Sequence, residues 1–173
     1  HGSPSRQSDP ELLQRYDELT EAGKVSWVGH HHMLRLLGRG GQGEVYLTEH
    51  RGTDGFTVPV AMKIFSPERY AGAQAYNEAM SRVAGIAARV ALIQHDILLD
   101  VQNFFEHDRI RIMLMEWVDG FDLRQLTSHR CLQLLHGRVS SRRWRYINEV
   151  ILTEGPQQCR FKPGVAVAIV REC

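Results

Sequence analysis

Four glycines fall within six residues in the stretch LGRGGQGEVYL, Leu37 to Leu47, and they lead directly into branched and aromatic residues. No other feature restricts the fold as much, because the chain must reverse at the glycines and leave the turn as a strand. The neighbouring segments agree. MLRLLGRG, EVYLTEH and VPVAMKIF have strand composition, and the glycine turn and RGTDG separate them, which predicts a three-stranded antiparallel meander. The Ala-rich segment PERYAGAQAYNEAMSRVAGIAARVALIQHD predicts one long helix. ILLDVQNFFEHDRIRIMLMEWV then predicts two further strands around a turn at Glu106 to Asp108. The order closes one small five-stranded antiparallel sheet with a helix on its side, an α+β architecture.

The flanks carry weaker patterns. Ahead of the sheet, PELLQRYDELTEAGKVSW places Leu12, Leu13, Tyr16 and Leu19 at helical spacing, with Asp9 as cap, Pro10 in the first turn and Gly23 as stop. This short helix is expected to pack on the outside of the domain that follows. After Val118, DGFDLRQL can start a helix, and KPGVAVAIVREC fits the start of a buried helix or equally a strand. The expected organisation is an extension over 1–32, the sheet domain over 33–118 and a further region over 119–173.

Composition excludes some roles. With 43% apolar and 24% charged residues and a net charge of +1, the chain has globular composition and no general attraction to nucleic acid or membrane. Cysteines 131, 159 and 173 are odd in number and fit no zinc spacing, so they read as reduced thiols. No apolar run approaches the roughly 20 residues that span a bilayer, and HGSPSRQSDP has no hydrophobic signal core, so a cytoplasmic protein is expected. Residues 124–145 hold six arginines, two histidines and no acid, with Trp144 in their midst and Tyr146 next to them. That segment suits an acidic partner or nucleic acid, but an insertion that is solvated or docks on a further lobe is the favoured reading, and no nucleic acid is expected as a partner. His30, His31 and His32 alternate faces on a strand and cannot easily converge on one metal ion.

The chemistry gathers around the glycines. Gly38, Gly40, Gly43 and Val45 fit G-x-G-x-x-G-x-V, in which missing Cβ atoms let backbone N–H groups approach phosphate oxygens. Alone, the pattern fits a plain turn equally well. A dinucleotide-binding turn is disfavoured, because there the glycines open a helix and here a strand follows. The next strand carries VAMK, so Lys63 can lie beneath the hairpin and meet phosphate oxygens, although a strand-end lysine in solvent is the ordinary alternative. Such a lysine needs a carboxylate to aim it. Between Ser66 and Asp96 the glutamates are Glu68, beside Pro67 and ahead of the helix, and Glu78, which elimination leaves as the candidate unless it is simply a solvated helix residue.

In this order, the glycine loop, VAMK, the helix glutamate and IMLMEWVDGFDL resemble the front half of a eukaryotic-type protein kinase of the bacterial serine/threonine kind, over Met33 to Leu123. The resemblance implies a kinase N-lobe followed by the first helices of the C-lobe. By it, Gly38, Gly40 and Gly43 cover the ATP phosphates, Lys63 contacts the α- and β-phosphates, and Glu78 pairs with Lys63. Leu37, Val45 and Ala61 roof the adenine, Met115 is the gatekeeper, the main chain of Glu116 and Val118 bonds the adenine, and Asp122 reaches the ribose. The change from apolar strand to MEWVDG also suits a hinge between lobes. Arg82 departs from the pattern, since the family places an apolar residue one turn after the glutamate.

Phosphoryl transfer also needs a catalytic-loop aspartate, an asparagine for metal and the D-F-G aspartate for Mg²⁺. SHRCLQLLH invites alignment with the catalytic loop, but only 13 residues separate His129 from Glu116, too few for the two helices the family puts there. No D-F-G occurs. The expectation is therefore the ATP-binding part of a kinase that phosphorylates Ser or Thr of a protein substrate, cut before its catalytic loop, without turnover alone and prone to self-association. The alternative is a pseudokinase-like scaffold or interaction module.

Overall fold

In the computed structural model, residues 8–21, 27–28, 31–94, 98–120, 122–154 and 159–172 are described. Helix α1 (Pro10–Thr20) begins where the sequence sets its cap: the Asp9 carboxylate accepts from the main-chain N–H groups of Glu11 and Leu12, and Pro10 occupies the first turn. The helix stops before Gly23, which lies outside the described residues. Strands β1 (Trp27–Val28), β2 (His31–Gly40), β3 (Gly43–Arg51) and β4 (Thr57–Phe65) follow, then helix α2 (Gly72–Val90), and strands β5 (Val101–His107) and β6 (Ile110–Glu116).

One antiparallel sheet results, in the order β1-β2-β3-β4-β6-β5. The five expected strands are present, and the two-residue β1 adds a sixth by pairing with His31 and His32. A segment so short carries no period of its own in the sequence. The last hairpin turns at Asp108 and Arg109, both at positive φ, slightly later than the sequence suggested.

Alternation along the strands separates two faces. Tyr46 and Thr48 of β3, Val60, Met62 and Ile64 of β4, and Ile112 and Leu114 of β6 are buried at every second position. Leu12, Tyr16 and Leu19 of α1 join the same core. The Tyr46 hydroxyl donates to the Glu44 carboxylate and lies 3.3 Å from the Thr20 carbonyl oxygen, so the end of α1 meets the sheet through a polar contact as well.

Helix α2 begins after the β4 strand exit and not at Pro67, because Gly72 takes a positive φ just ahead of the regular turns. Its buried residues are Tyr76, Met80 and Ala87, a stripe at helical spacing. The Tyr76 hydroxyl donates to the Phe65 carbonyl oxygen at 3.1 Å and accepts from the Arg111 N–H at 2.9 Å. One side chain thereby fixes the rotation of α2 on both β4 and β6.

The chain divides into two compact units, His1–Trp117 and Val118–Cys173. The second contains helices α3 (Leu123–Thr127), α4 (His129–His136) and α5 (Ser141–Tyr146), a π turn at Ile147–Ile151, the short pair β7 (Leu152–Thr153) and β8 (Arg160–Phe161), and helix α6 (Pro163–Glu172). The arginine-rich segment is thus mostly helical. Its small core gathers Leu132, Leu152 and Cys159, with Trp144 packed against it. The VAVAIV run is a helix, as one of its two readings had it, but Val167 is 66% exposed. Among the described residues, no helix is long and apolar enough to cross a membrane.

Candidate functional site

Register brings the motif residues together. Gly38 pairs with Val45, Val45 with Lys63, and Lys63 with Met113, one row across four strands. A second row, two residues further on and about 7 Å away, runs from Leu47 through Ala61 to Met115. Both rows lie on the face opposite Tyr46 and Met62. Gly38, Gly40, Gly43, Val45 and Lys63 line one cleft of about 410 Å³ with Arg39, Gly41 and Gln42. Leu37 sits at the irregularity in the β2–β3 register between Leu36 and Gly38 and is 38% exposed.

The three motif glycines do different things. Gly43 has φ +128°, and a Cβ there would lie 1.9 Å from the Ile64 carbonyl oxygen. Glycine is required at that position by the hairpin's contact with β4. At Gly38 and Gly40 a Cβ would meet nothing within 4 Å, and neither has the positive φ that disfavours side chains. Nothing in the fold itself demands glycine at these two positions, whereas a ligand approaching the main chain would.

Beneath the hairpin, the Lys63 ammonium donates to the Gln42 amide oxygen at 2.9 Å and lies 4.9 Å from the centre of the Phe65 ring. Burial holds its pKa below the ordinary lysine value. Among the described residues, no carboxylate forms an ion pair with it. A partly buried cation with a neutral acceptor and an aromatic face as partners is well disposed to an anion. The guanidinium of Arg69 covers Gly41 so closely that a Cβ there would sit 1.8 Å from it, which brings a second cation to the tip of the turn.

The Lys63–Glu78 pair implied by the resemblance is not formed. Glu78 is exposed and accepts from the Gln74 side chain at 3.0 Å, one helical turn back. The rotation fixed by Tyr76 and Met80 turns Glu78 away from the core, and Arg82 is exposed as well. The main-chain N–H of Glu116 is engaged by the Asp100 carbonyl oxygen at 2.8 Å. Val118 opens the second unit, and Asp122 serves there as the cap of α3, accepting from the Gln125 N–H at 2.6 Å while the Gln125 side chain returns the bond.

Three site residues were not anticipated from the sequence. Leu47 and Met113 could have been found by counting two positions from Val45 and Met115. Gln42 had no signal, because its importance lies in a side-chain contact across the hairpin.

A larger cleft of about 560 Å³ opens on the other face, lined by Tyr16, Thr20 and the acids Asp17, Glu21, Glu44 and Glu68. Its cation Arg39 is already neutralised by Glu44 at 2.5 Å. Chemistry outweighs volume here: the three further carboxylates, Asp17, Glu21 and Glu68, repel a polyanion, whereas the smaller cleft offers glycine main chain and Lys63.

No protein-family model matches the chain. It is 36% identical over 98 residues to the serine/threonine-protein kinase PknH of Mycobacterium bovis, covering 57% of this chain and 15% of that protein. It is 32% identical over 109 residues to the serine/threonine-protein kinase PknI of Mycobacterium tuberculosis, covering 63% of this chain and 17% of that protein. The chain thus matches only a minor part of the length of these curated relatives. In three dimensions it resembles the crystal structure of the M. tuberculosis PknI kinase domain, with a TM-score of 0.52 and 24% identity over 87% of this chain and 47% of that one.

Proposed function

From a chain that has the protein-kinase fold and is similar in sequence to bacterial serine/threonine-protein kinases, we propose that it is the ATP-binding part of such a kinase. Its parent transfers the γ-phosphate of ATP to Ser or Thr hydroxyls of a protein substrate. The observation that carries the reading is Lys63, a partly buried ammonium with no carboxylate partner among the described residues, lying beneath a hairpin whose Gly38 and Gly40 leave the main chain open. In this reading the hairpin N–H groups and Lys63 hold phosphate oxygens, and Leu37, Val45, Leu47, Ala61 and Met115 supply apolar contact for the base. The resemblance adds the main chain of Glu116 and Val118 for the adenine and Asp122 for the ribose.

Mg²⁺ accompanies ATP in the parent enzyme, where it neutralises phosphate charge. The asparagine and D-F-G aspartate that hold it in kinases have no counterpart in this sequence, so no metal ligand is assigned. For the same reason these 173 residues alone bind nucleotide without transferring phosphate. Calorimetric titration of ATP tests the first claim: the chain binds, and Lys63→Met weakens binding by at least about tenfold, as loss of a charge-assisted contact predicts. Equal affinity in the variant would sink the assignment. In the parent protein, the same substitution abolishes phosphorylation.

One observation favours a second reading, a pseudokinase-like scaffold that binds nucleotide without catalysis. Glu78 is not paired with Lys63, and active kinases need that pair. Assay of the parent discriminates: an enzyme transfers phosphate from ATP and loses most of that activity in Glu78→Gln, while a scaffold transfers none in either form.

A further inference from the structure

Gln42 lies between Gly41 and Gly43, where the main chain is fastened to the end of β4. The Gln42 carbonyl oxygen accepts from the Ser66 N–H at 3.0 Å, and Gly43 presses against the Ile64 carbonyl oxygen. With its backbone held on both sides, Gln42 sends its side chain back under the hairpin, where Oε1 lies 2.9 Å from Lys63 Nζ. Gln42 and Lys63 line the same cleft.

We propose that Gln42 is a positioning residue whose amide oxygen stands in for a phosphate oxygen on Lys63, so that an incoming nucleotide must displace it. The inference rests on the nucleotide-binding reading. Its chemistry is a competition between two acceptors for one cation. The neutral amide oxygen holds the ammonium under the glycines in the resting chain. A phosphate oxygen, which carries charge, makes the stronger bond and replaces it. Gln42 thereby competes with phosphate for Lys63 and lowers the affinity for ATP, making the cradle selective for ligands charged enough to win the exchange.

Wild type, Gln42→Ala and Gln42→Glu are compared by titration with ATP and with adenosine. Gln42→Ala binds ATP about fivefold tighter, and Gln42→Glu, whose carboxylate pairs with Lys63, binds it at least about tenfold weaker. Adenosine, which has no phosphate, binds all three alike. A second readout needs no nucleotide: the rate at which an amine-reactive reagent modifies Lys63, followed by peptide mass spectrometry, rises in Gln42→Ala and falls in Gln42→Glu. If wild type binds no ATP, the nucleotide reading fails while the modification rates still test the Gln42–Lys63 contact. Unchanged or weaker ATP binding by Gln42→Ala, or one modification rate in all three proteins, would overturn the proposal. Gln42 is exposed, so equal melting temperatures are expected throughout.

Discussion

Gly43 and Gly38 belong to the same motif and should respond to substitution in opposite ways. Gly43→Ala forces a Cβ to within 1.9 Å of the Ile64 carbonyl oxygen at φ +128°, so the hairpin must leave β4. The expected loss is about 2 kcal/mol or more, measured by denaturant unfolding. Gly38→Ala and Gly40→Ala fill open space and should leave the melting temperature nearly unchanged while weakening ATP binding by about tenfold. Stability losses as large at Gly38 and Gly40, with no change in ATP binding, would reduce the hairpin to an ordinary turn. The glycine pattern was plain in the sequence, but the division of labour within it was not. It depends on how far each glycine stands from another strand, and no spacing along the chain records that distance. Glu78 illustrates the same limit: elimination selected it, and the packing of Tyr76 and Met80 turned it outward.

At the scale of elements, helix α1 and the anchor of α2 hold the sheet that carries the site. Leu12 is 1% exposed and packs α1 into the core, so Leu12→Ala should cost about 2–5 kcal/mol and loosen α1 from Tyr46. Tyr76 links α2 to β4 and β6, and Tyr76→Phe strands the Phe65 carbonyl and the Arg111 N–H at a cost of about 1–3 kcal/mol. Circular dichroism melts of the two variants check both figures. Of these elements, α1 was readable because Asp9, Pro10 and the leucines agree locally, and the meander because each strand has its own turn signal. Strand β1 and the π turn had no such support. They are too short to show a period, and the first depends on a partner strand for its existence.

For the whole molecule, the buried tyrosines predict how stability follows pH. Burial is the largest cause that raises Tyr16 and Tyr76 to about 12, and it raises Tyr46 further with help from Glu44. A tyrosine whose folded value exceeds the unfolded 10.0 keeps its proton longer in the fold, so its contribution is full below pH 10 and is lost as pH rises towards 12. The melting temperature should be insensitive to these groups up to about pH 9.5 and fall steeply beyond pH 10. In Tyr76→Phe that alkaline fall becomes shallower, although the variant is less stable at neutral pH. The two sheet faces thus divide the work: α1 with Tyr16 and Tyr46 covers one, and Lys63 and the glycines open on the other.

Whether Lys63 and the glycine hairpin form one phosphate-binding cradle is decided by calorimetric titration of wild type and Lys63→Met with ATP. Saturable ATP binding by wild type is expected, at least about tenfold weaker in the variant, with no loss of melting temperature at neutral pH, because removing a desolvated charge does not destabilise the fold. A folded wild-type chain that binds no ATP, or a variant that binds it equally well, would contradict it.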